Sequence, residues 1–140
     1  MSRTHEVAWA AGFFDGEGFI SIQVRSSEKY EGHYLRIGVN HVAPEPLCEL
    51  QRLFGGTVVP DKRPPIGNRK PRHRWVTSTS NAAEALKQMM PYFKNKNKVA
   101  EVALNFQATV QSNSEYHISD ETLQLRRECA AELKRLNSLD

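Results

Sequence analysis

The stretch that most constrains the fold of this chain is Ala10-Ala11-Gly12-Phe13-Phe14-Asp15-Gly16-Glu17-Gly18. Val7, Ala8 and Trp9 can extend a helix into it. Ala8, Ala11, Gly12 and Asp15 recur at three- and four-residue steps, which puts them on one helical face. A face that small admits a second helix at backbone distance. Trp9, Phe13 and Phe14 are expected to point elsewhere, into a core. Gly16 and Gly18 are expected to stop the helix, because glycine tolerates left-handed backbone. Asp15 and Glu17 then sit at the carboxyl end of a packed helix, where two acids oppose the helix dipole unless a cation joins them. The pattern reads either as a buried Gly/Ala helix with an acidic last turn or as a helix end that holds a metal.

Downstream, the period changes from helix to strand. In residues 19–25, Ile20, Ile22 and Val24 alternate with Ser21, Gln23 and Arg25. In residues 34–42, Leu35, Ile37 and Val39 alternate with Tyr34, Arg36, Gly38 and Asn40. Two half-buried strands follow, with a polar loop over residues 26–32 that carries Lys29 and Tyr30. Their outward residues Ser21, Gln23, Arg25, Tyr34, Arg36 and Asn40 form a hydrogen-bonding face able to meet DNA. Pro44 and Pro46 open a helix with Leu47, Leu50, Leu53 and Phe54 as its buried stripe, ended by Gly55-Gly56. Strands follow at residues 57–59 and 74–79, the latter with Trp75 and Val76. Between them lie Lys62, Arg63, Arg69, Lys70, Arg72 and Arg74 with no acid among them. This run is either a solvated hairpin tip or a phosphate-contacting arm.

The remaining pattern is helical. Thr4 is the expected N-cap of the first helix, with Glu6 in its first turn. Asn81, with Glu84 three residues on, resembles a capping box for a helix burying Ala82, Ala85, Leu86 and Met89, ended by Pro91. Val99, Val102, Ala103, Phe106 and Val110 mark another. After a polar linker over residues 111–116, Ser119 caps a last helix with Leu123, Ala130, Leu133 and Leu136 inside.

At 140 residues, 39% hydrophobic and 25% charged, the chain suits one globular domain over residues 1–140. Its net charge of +3 favours an acidic partner such as nucleic acid. Cys48, in an apolar helical pattern, and Cys129 suggest a reduced intracellular protein, cytoplasmic or organellar, rather than a disulfide scaffold. No secretory leader or apolar run of membrane-spanning length is apparent. His5, His33, His73 and His117 are scattered and suggest no zinc site, and no Walker-type loop or GxSxG elbow occurs.

The nonapeptide resembles the motif of LAGLIDADG homing endonucleases. Ala10 stands for the first Leu, and Ala11, Gly12, Asp15 and Gly18 match. Phe13 and Phe14 take the two apolar places, Gly16 replaces Ala, and Glu17 is the acidic variant of the second Asp. Trp9 and Phe19-Ile20-Ser21-Ile22 are flanks typical of the family. The predicted order α-β-β-α-β-β-α-α-α resembles the family's αββαββα core, an α+β fold with a curved antiparallel sheet, followed by C-terminal helices.

The resemblance implies a sequence-specific double-strand DNA endonuclease of the kind that mobilises introns or inteins, leaving short 3′ overhangs. A single motif copy implies a homodimer with one active site per subunit, a long and roughly palindromic target, and an interface formed by Ala8, Ala11, Gly12 and Asp15. Glu17, with the Gly16 carbonyl, is implied as the ligand of Mg²⁺; Mn²⁺ would substitute, and Ca²⁺ would support binding without cleavage. Asp15 either joins the metal or satisfies backbone donors at the helix junction. Lys96 matches a lysine beside the scissile phosphate, with Lys94 its nearest rival, or else makes an ordinary phosphate contact. His41 falls where the family positions active-site water, usually with Gln; strict alternation turns it inward with Val39, as a half-buried histidine would be. Ser21, Gln23, Arg25, Tyr34, Arg36, Asn40, Arg69, Lys70, Arg72 and Arg74 are the implied DNA contacts. The rival readings are a non-cleaving DNA- or RNA-binding module of the same fold, as in a maturase or transcription regulator, and a protein that only dimerises through its first helix.

Overall fold

The computed structural model describes residues 2–26, 31–61, 67, 70–110 and 118–139. Its elements are α1 (Arg3–Glu17), β1 (Gly18–Ser26), β2 (Glu31–His41), α2 (Pro44–Phe54), β3 (Thr57–Pro60), β4 (His73–Ser78), α3 (Thr79–Met89), α4 (Asn97–Gln107) and α5 (Asp120–Asn137). A short 3-10 turn, Met90–Tyr92, joins α3 to α4. The order is the one the sequence predicts. The strands form an antiparallel sheet in the order β1-β2-β4-β3.

The register follows from the alternation. Ile20 pairs with Ile37 and Ile22 with Leu35 on the helix side, while Ser21 pairs with Arg36 and Gln23 with Tyr34 on the other. Shifting any strand by one residue would exchange these two sets. Val39 faces Trp75, and Trp75 is fully enclosed with its indole N–H donated to the Gly55 carbonyl at 2.9 Å. Leu47 and Leu50 of α2, Leu86 and Met89 of α3, and Phe106 of α4 complete the core. Burying a side chain such as Phe14 or Leu50 contributes about 1.5–3 kcal/mol.

Several local expectations are corrected. Ser2, not Thr4, caps α1, its hydroxyl accepting the His5 N–H at 3.3 Å. The helix runs through Gly16, and Gly18 is extended (φ −82°) rather than left-handed. Gly18 is required for space: a Cβ there would lie 2.5 Å from Cδ2 of the buried Phe14 ring. Trp9 is 44% exposed and stacks on Phe13 at 5.6 Å instead of entering the core. Asn81 does not cap α3, which begins after Ser78. Its amide instead donates to the Phe54 carbonyl (2.8 Å) and Thr77 Oγ1 (2.6 Å), fastening the end of α2 to β4. Cys48 is exposed.

In α5, Ser119 is the cap as predicted, accepting the Thr122 N–H at 3.1 Å. The deepest side chain beside Leu133 is an arginine, however. Arg126 is 1% exposed and donates to Thr109 Oγ1 (3.2 Å) and the Thr109 carbonyl (3.0 Å). Leu123, Ala130 and Leu136 are only half-buried. The helix is fixed to the sheet twice: Arg127 forms a forked pair with Glu31 at the start of β2 (2.9 and 3.3 Å), and the Asn137 amide donates to the Ile20 carbonyl on the edge strand β1 (3.0 Å). Under it, His33 is buried with Nε2 3.3 Å from Glu31, and its Nδ1 has no hydrogen-bond partner among the described residues. The predicted polar linker, the loop residues Lys29 and Tyr30, and Lys62, Arg63, Arg69 and His117 lie outside the described residues.

Candidate functional site

The two acids at the end of α1 have different surroundings. Asp15 is surrounded by backbone donors from the segment leading into α4. Lys94 N–H donates to Oδ2 at 2.8 Å, Lys96 N–H to Oδ1 at 2.9 Å, and Asn95 N–H reaches both oxygens at 3.0–3.1 Å. Lys96 is the N-cap of α4, so the carboxylate also occupies the positive end of that helix, where an anion is favoured. In return, Lys96 Nζ donates to the Asp15 carbonyl at 2.9 Å. The α1 end and the lysine loop are thus joined by reciprocal contacts across some eighty positions of sequence.

Glu17, two residues on, is exposed and has no hydrogen bond or ion pair among the described residues. It sits in the last turn of α1, where carbonyls lack partners within the helix and the dipole is negative. Gly16 beside it is open: nothing lies within 4 Å of where its Cβ would be. No cluster of three or more His, Cys, Asp or Glu gathers among the described residues. The donors here are hard oxygens, one carboxylate and helix-end carbonyls, which fits a cation such as Mg²⁺ that keeps most of its waters. A cleft lined by Gly18, Phe19, Asn95, Lys96, Lys98 and Asn137 opens beside this corner, with no acid in its lining.

His41 ends β2 without a bulge, opposite His73. It is turned toward the helices, as alternation requires, with its ring edge-on to Phe13 at 5.5 Å. Its Nδ1 lies 3.0 Å from the Ala43 nitrogen and 3.3 Å from the Ala43 carbonyl oxygen, so the backbone of residue 43 holds that side of the ring.

The outer face of the sheet carries the predicted polar set. Arg74 Nε donates to Asn40 Oδ1 at 2.8 Å. The Arg25 guanidinium lies over the Tyr34 ring (4.8 Å) and that of Arg36 over the Phe19 ring (5.9 Å). Gln23 donates to Ser21 Oγ at 2.9 Å. Lys70 and Arg72 are exposed at the margin of this face. The place of Phe19 on this face escaped the sequence reading, which names it as a flank of the motif, although Gly38 signals it: a glycine inside a strand marks a close approach. Phe19 is its cross-strand partner, and a Cβ at position 38 would meet the Phe19 ring at 2.7 Å.

The residues of the predicted shared face of α1 differ in exposure within the chain. Ala11 is fully enclosed by the chain's own core, and both Asp15 oxygens are engaged within the chain. Val7, Ala10, Ala11 and Phe14 are the inward stripe; the small residues at three- and four-residue steps straddle two neighbouring stripes. The outward stripe is His5, Trp9, Gly12 and Gly16, with Ala8 half-buried at its side.

The sequence profile described as LAGLIDADG endonuclease matches residues 10–113, well over half of the chain. The chain belongs to the LAGLIDADG endonuclease family. Comparison with curated proteins finds no match. Among solved structures, the homing endonuclease I-CvuI, in complex with a DNA target in the presence of Mg and with the DNA not cleaved, superposes with a TM-score of 0.78 at 22% identity, covering 96% of this chain and 83% of that one. An archaeal intron-encoded homing endonuclease complexed with DNA gives 0.79 at 12% identity, covering 96% and 86%. I-GzeII, a LAGLIDADG homing endonuclease in complex with its DNA target, gives 0.62 at 13% identity, covering 93% of this chain but 43% of that one. These likenesses bear out the LAGLIDADG fold expected from the sequence.

Proposed function

We propose that this LAGLIDADG protein is a metal-dependent endonuclease that cuts both strands of a long, roughly palindromic DNA target as a homodimer and leaves short 3′ overhangs. The observation that carries the reading is the Glu17 carboxylate, exposed and without a partner among the described residues, beside a lysine loop held in place by Asp15. Glu17 and the Gly16 carbonyl would hold Mg²⁺, with Mn²⁺ as substitute and Ca²⁺ as a binding-only ion; when bound, the metal offsets phosphate charge and makes water a better nucleophile. The chain's own residues supply the rest. Lys96 brings a cation, already fixed at its terminal nitrogen, toward a phosphate at the end of α1. His41 has Nε2 to orient water at the same end of the sheet. Gln23, Arg25, Tyr34, Arg36 and Arg74 face base edges in the major groove, with Asn40 beside Arg74, while Arg69, Lys70 and Arg72 meet phosphates at the rim.

Dimerisation is supported by a single motif copy and by the outward stripe of α1, which combines an exposed tryptophan with two open glycines. Two-fold symmetry then maps onto two DNA half-sites.

The test is incubation with a randomised duplex library and Mg²⁺, followed by sequencing of cut ends, for wild type and Glu17→Gln. The amide keeps the size and removes the charge that a hard cation requires. Cleavage is expected to fall by about a thousandfold or more, with DNA binding in Ca²⁺ retained. A Glu17→Gln variant cutting at near wild-type rate would refute the site. A wild type that binds one sequence without cutting it would make the protein a DNA-binding module of this fold.

A further inference from the structure

Asn40 and Arg74 are direct cross-strand partners on the outer face, and the Arg74 Nε–H is held by the Asn40 amide oxygen at 2.8 Å. Both residues are half-buried. No acid pairs with Arg74 among the described residues, so its two terminal nitrogens keep all their protons for a ligand. Its other cross-strand neighbour is the apolar Val59 on β3, and the adjoining pair on the face is Gly38 and Val76. Among the described residues, the Asn40 amide oxygen is the acceptor that holds the guanidinium, and it does so through Nε. Arginine side chains lose several rotatable bonds' worth of freedom on binding; a bond to Nε fixes most of them beforehand and leaves the terminal fork free. That fork matches the O6 and N7 acceptors of guanine in the major groove.

Building on the DNA-binding reading above, we infer that Arg74, braced by Asn40, is a specificity residue that reads one guanine in each half-site. Asn40 is the positioning residue: it contacts the arginine, not the base. The place of that guanine follows from the sheet. Asn40 lies next to His41 at the end of β2 near α1, whereas Tyr34 and the Arg25 stacked on it lie toward the opposite end. The guanine read by Arg74 is therefore nearer the centre of the target than any base read by Arg25. A phosphate contact from Arg74 is the competing chemistry, and it would carry no sequence preference.

The experiment selects binding sites from a randomised duplex library in Ca²⁺ with wild type, Arg74→Gln, Asn40→Ala and Asn40→Asp, each checked for folding by its melting curve. Wild type is expected to enrich a guanine at one inner position of each half-site. Arg74→Gln is expected to lose that guanine alone, moving toward adenine, and to weaken binding to the wild-type site by about 10- to 100-fold. Asn40→Ala should keep the guanine preference but lower it several-fold, and Asn40→Asp, which still accepts from Nε, should restore it. An unchanged consensus in Arg74→Gln, or a uniform loss of affinity for all sequences, overturns this inference while leaving the nuclease reading intact. A wild type that binds no DNA overturns both.

Discussion

Asp15→Asn is the substitution whose outcome the geometry fixes most tightly. Lys94 N–H points at one carboxylate oxygen (2.8 Å), Lys96 N–H at the other (2.9 Å), and Asn95 N–H lies between them. Whichever way the new amide turns, its NH₂ faces a backbone N–H, a donor against a donor. Hydrogen bonds to a charged acceptor contribute about 1.5–3 kcal/mol each, and an orphaned donor costs about 1–3 kcal/mol. The site is half exposed, so water recovers part of this, and a net loss of about 2–3 kcal/mol is expected. For a chain of this length that lowers the melting midpoint by about 10 °C. The assay is thermal and urea unfolding of wild type, Asp15→Asn and Glu17→Gln at neutral pH. Glu17, with no intramolecular partner among the described residues, should change stability by less than about 0.5 kcal/mol when made neutral. The two neighbouring acids therefore separate into one that supports the fold and one that does not. If Asp15→Asn melts within about 2 °C of wild type, the carboxylate does not hold the loop and the positioning of Lys96 must come from elsewhere.

Gly12→Leu should leave the monomer folded, because nothing lies within 4 Å of a Cβ there, yet abolish the dimer in sedimentation; a dimeric Gly12→Leu protein refutes the helix interface. Gly18→Ala should instead destabilise the chain by about 1–3 kcal/mol in urea, since its methyl would strike the enclosed Phe14 ring. Burial holds the His33 imidazole below its ordinary 6.5, against the pull of Glu31 and with Arg126 and Arg127 acting in the same direction as burial. The unfolded chain then takes up the proton first, so stability is full above pH 6.5 and declines as pH falls below it. His33→Gln should flatten that part of the melting-temperature profile, and an unaltered profile excludes His33 as its source. Replacing Arg69, Lys70 and Arg72 together by neutral residues should weaken DNA binding and reduce the logarithmic salt slope by about 0.9 for each phosphate they no longer neutralise; an unchanged slope makes the segment a solvated hairpin.

What the sequence made legible was set by periodicity. The alternation through Ile20, Ile22, Leu35, Ile37 and Val39 specifies which face each residue takes, because a one-residue slip would turn an entire face over, and the observed pairing keeps these residues on the helix side. Glycine is less decisive, since one residue serves several needs. Gly16 and Gly18 both read as residues that bend the chain, whereas Gly18 makes room for Phe14. Small residues are similarly ambiguous on α1, where Ala11 belongs to the inward stripe with Val7 and Phe14. Long-range polar contacts have no local signature. Nothing near Asp15 announces its donors at residues 94–96, and nothing near Arg126 announces Thr109. Such pairings depend on which loops the finished fold brings together, and one chain's spacing does not encode them in readable form.

The two margins of the sheet, β1 and β3, bear on how such a protein survives before it meets a partner. A sheet margin presents unpaired carbonyl and amide groups that can recruit strands from other molecules. On the β1 side the Asn137 amide takes up the Ile20 carbonyl, and Arg127 holds the same helix in place through Glu31 of the adjoining β2. On the other, β3 is four residues long and ends in Pro60, which has no N–H to offer. Newly made chains at high concentration thus have few places to add strand to strand into fibres, and α5 acts as a selvedge that keeps the weave from running. Its removal should matter first for solubility: a chain cut after Val110 would expose the β1 margin and precipitate before its ability to bind any ligand could be judged.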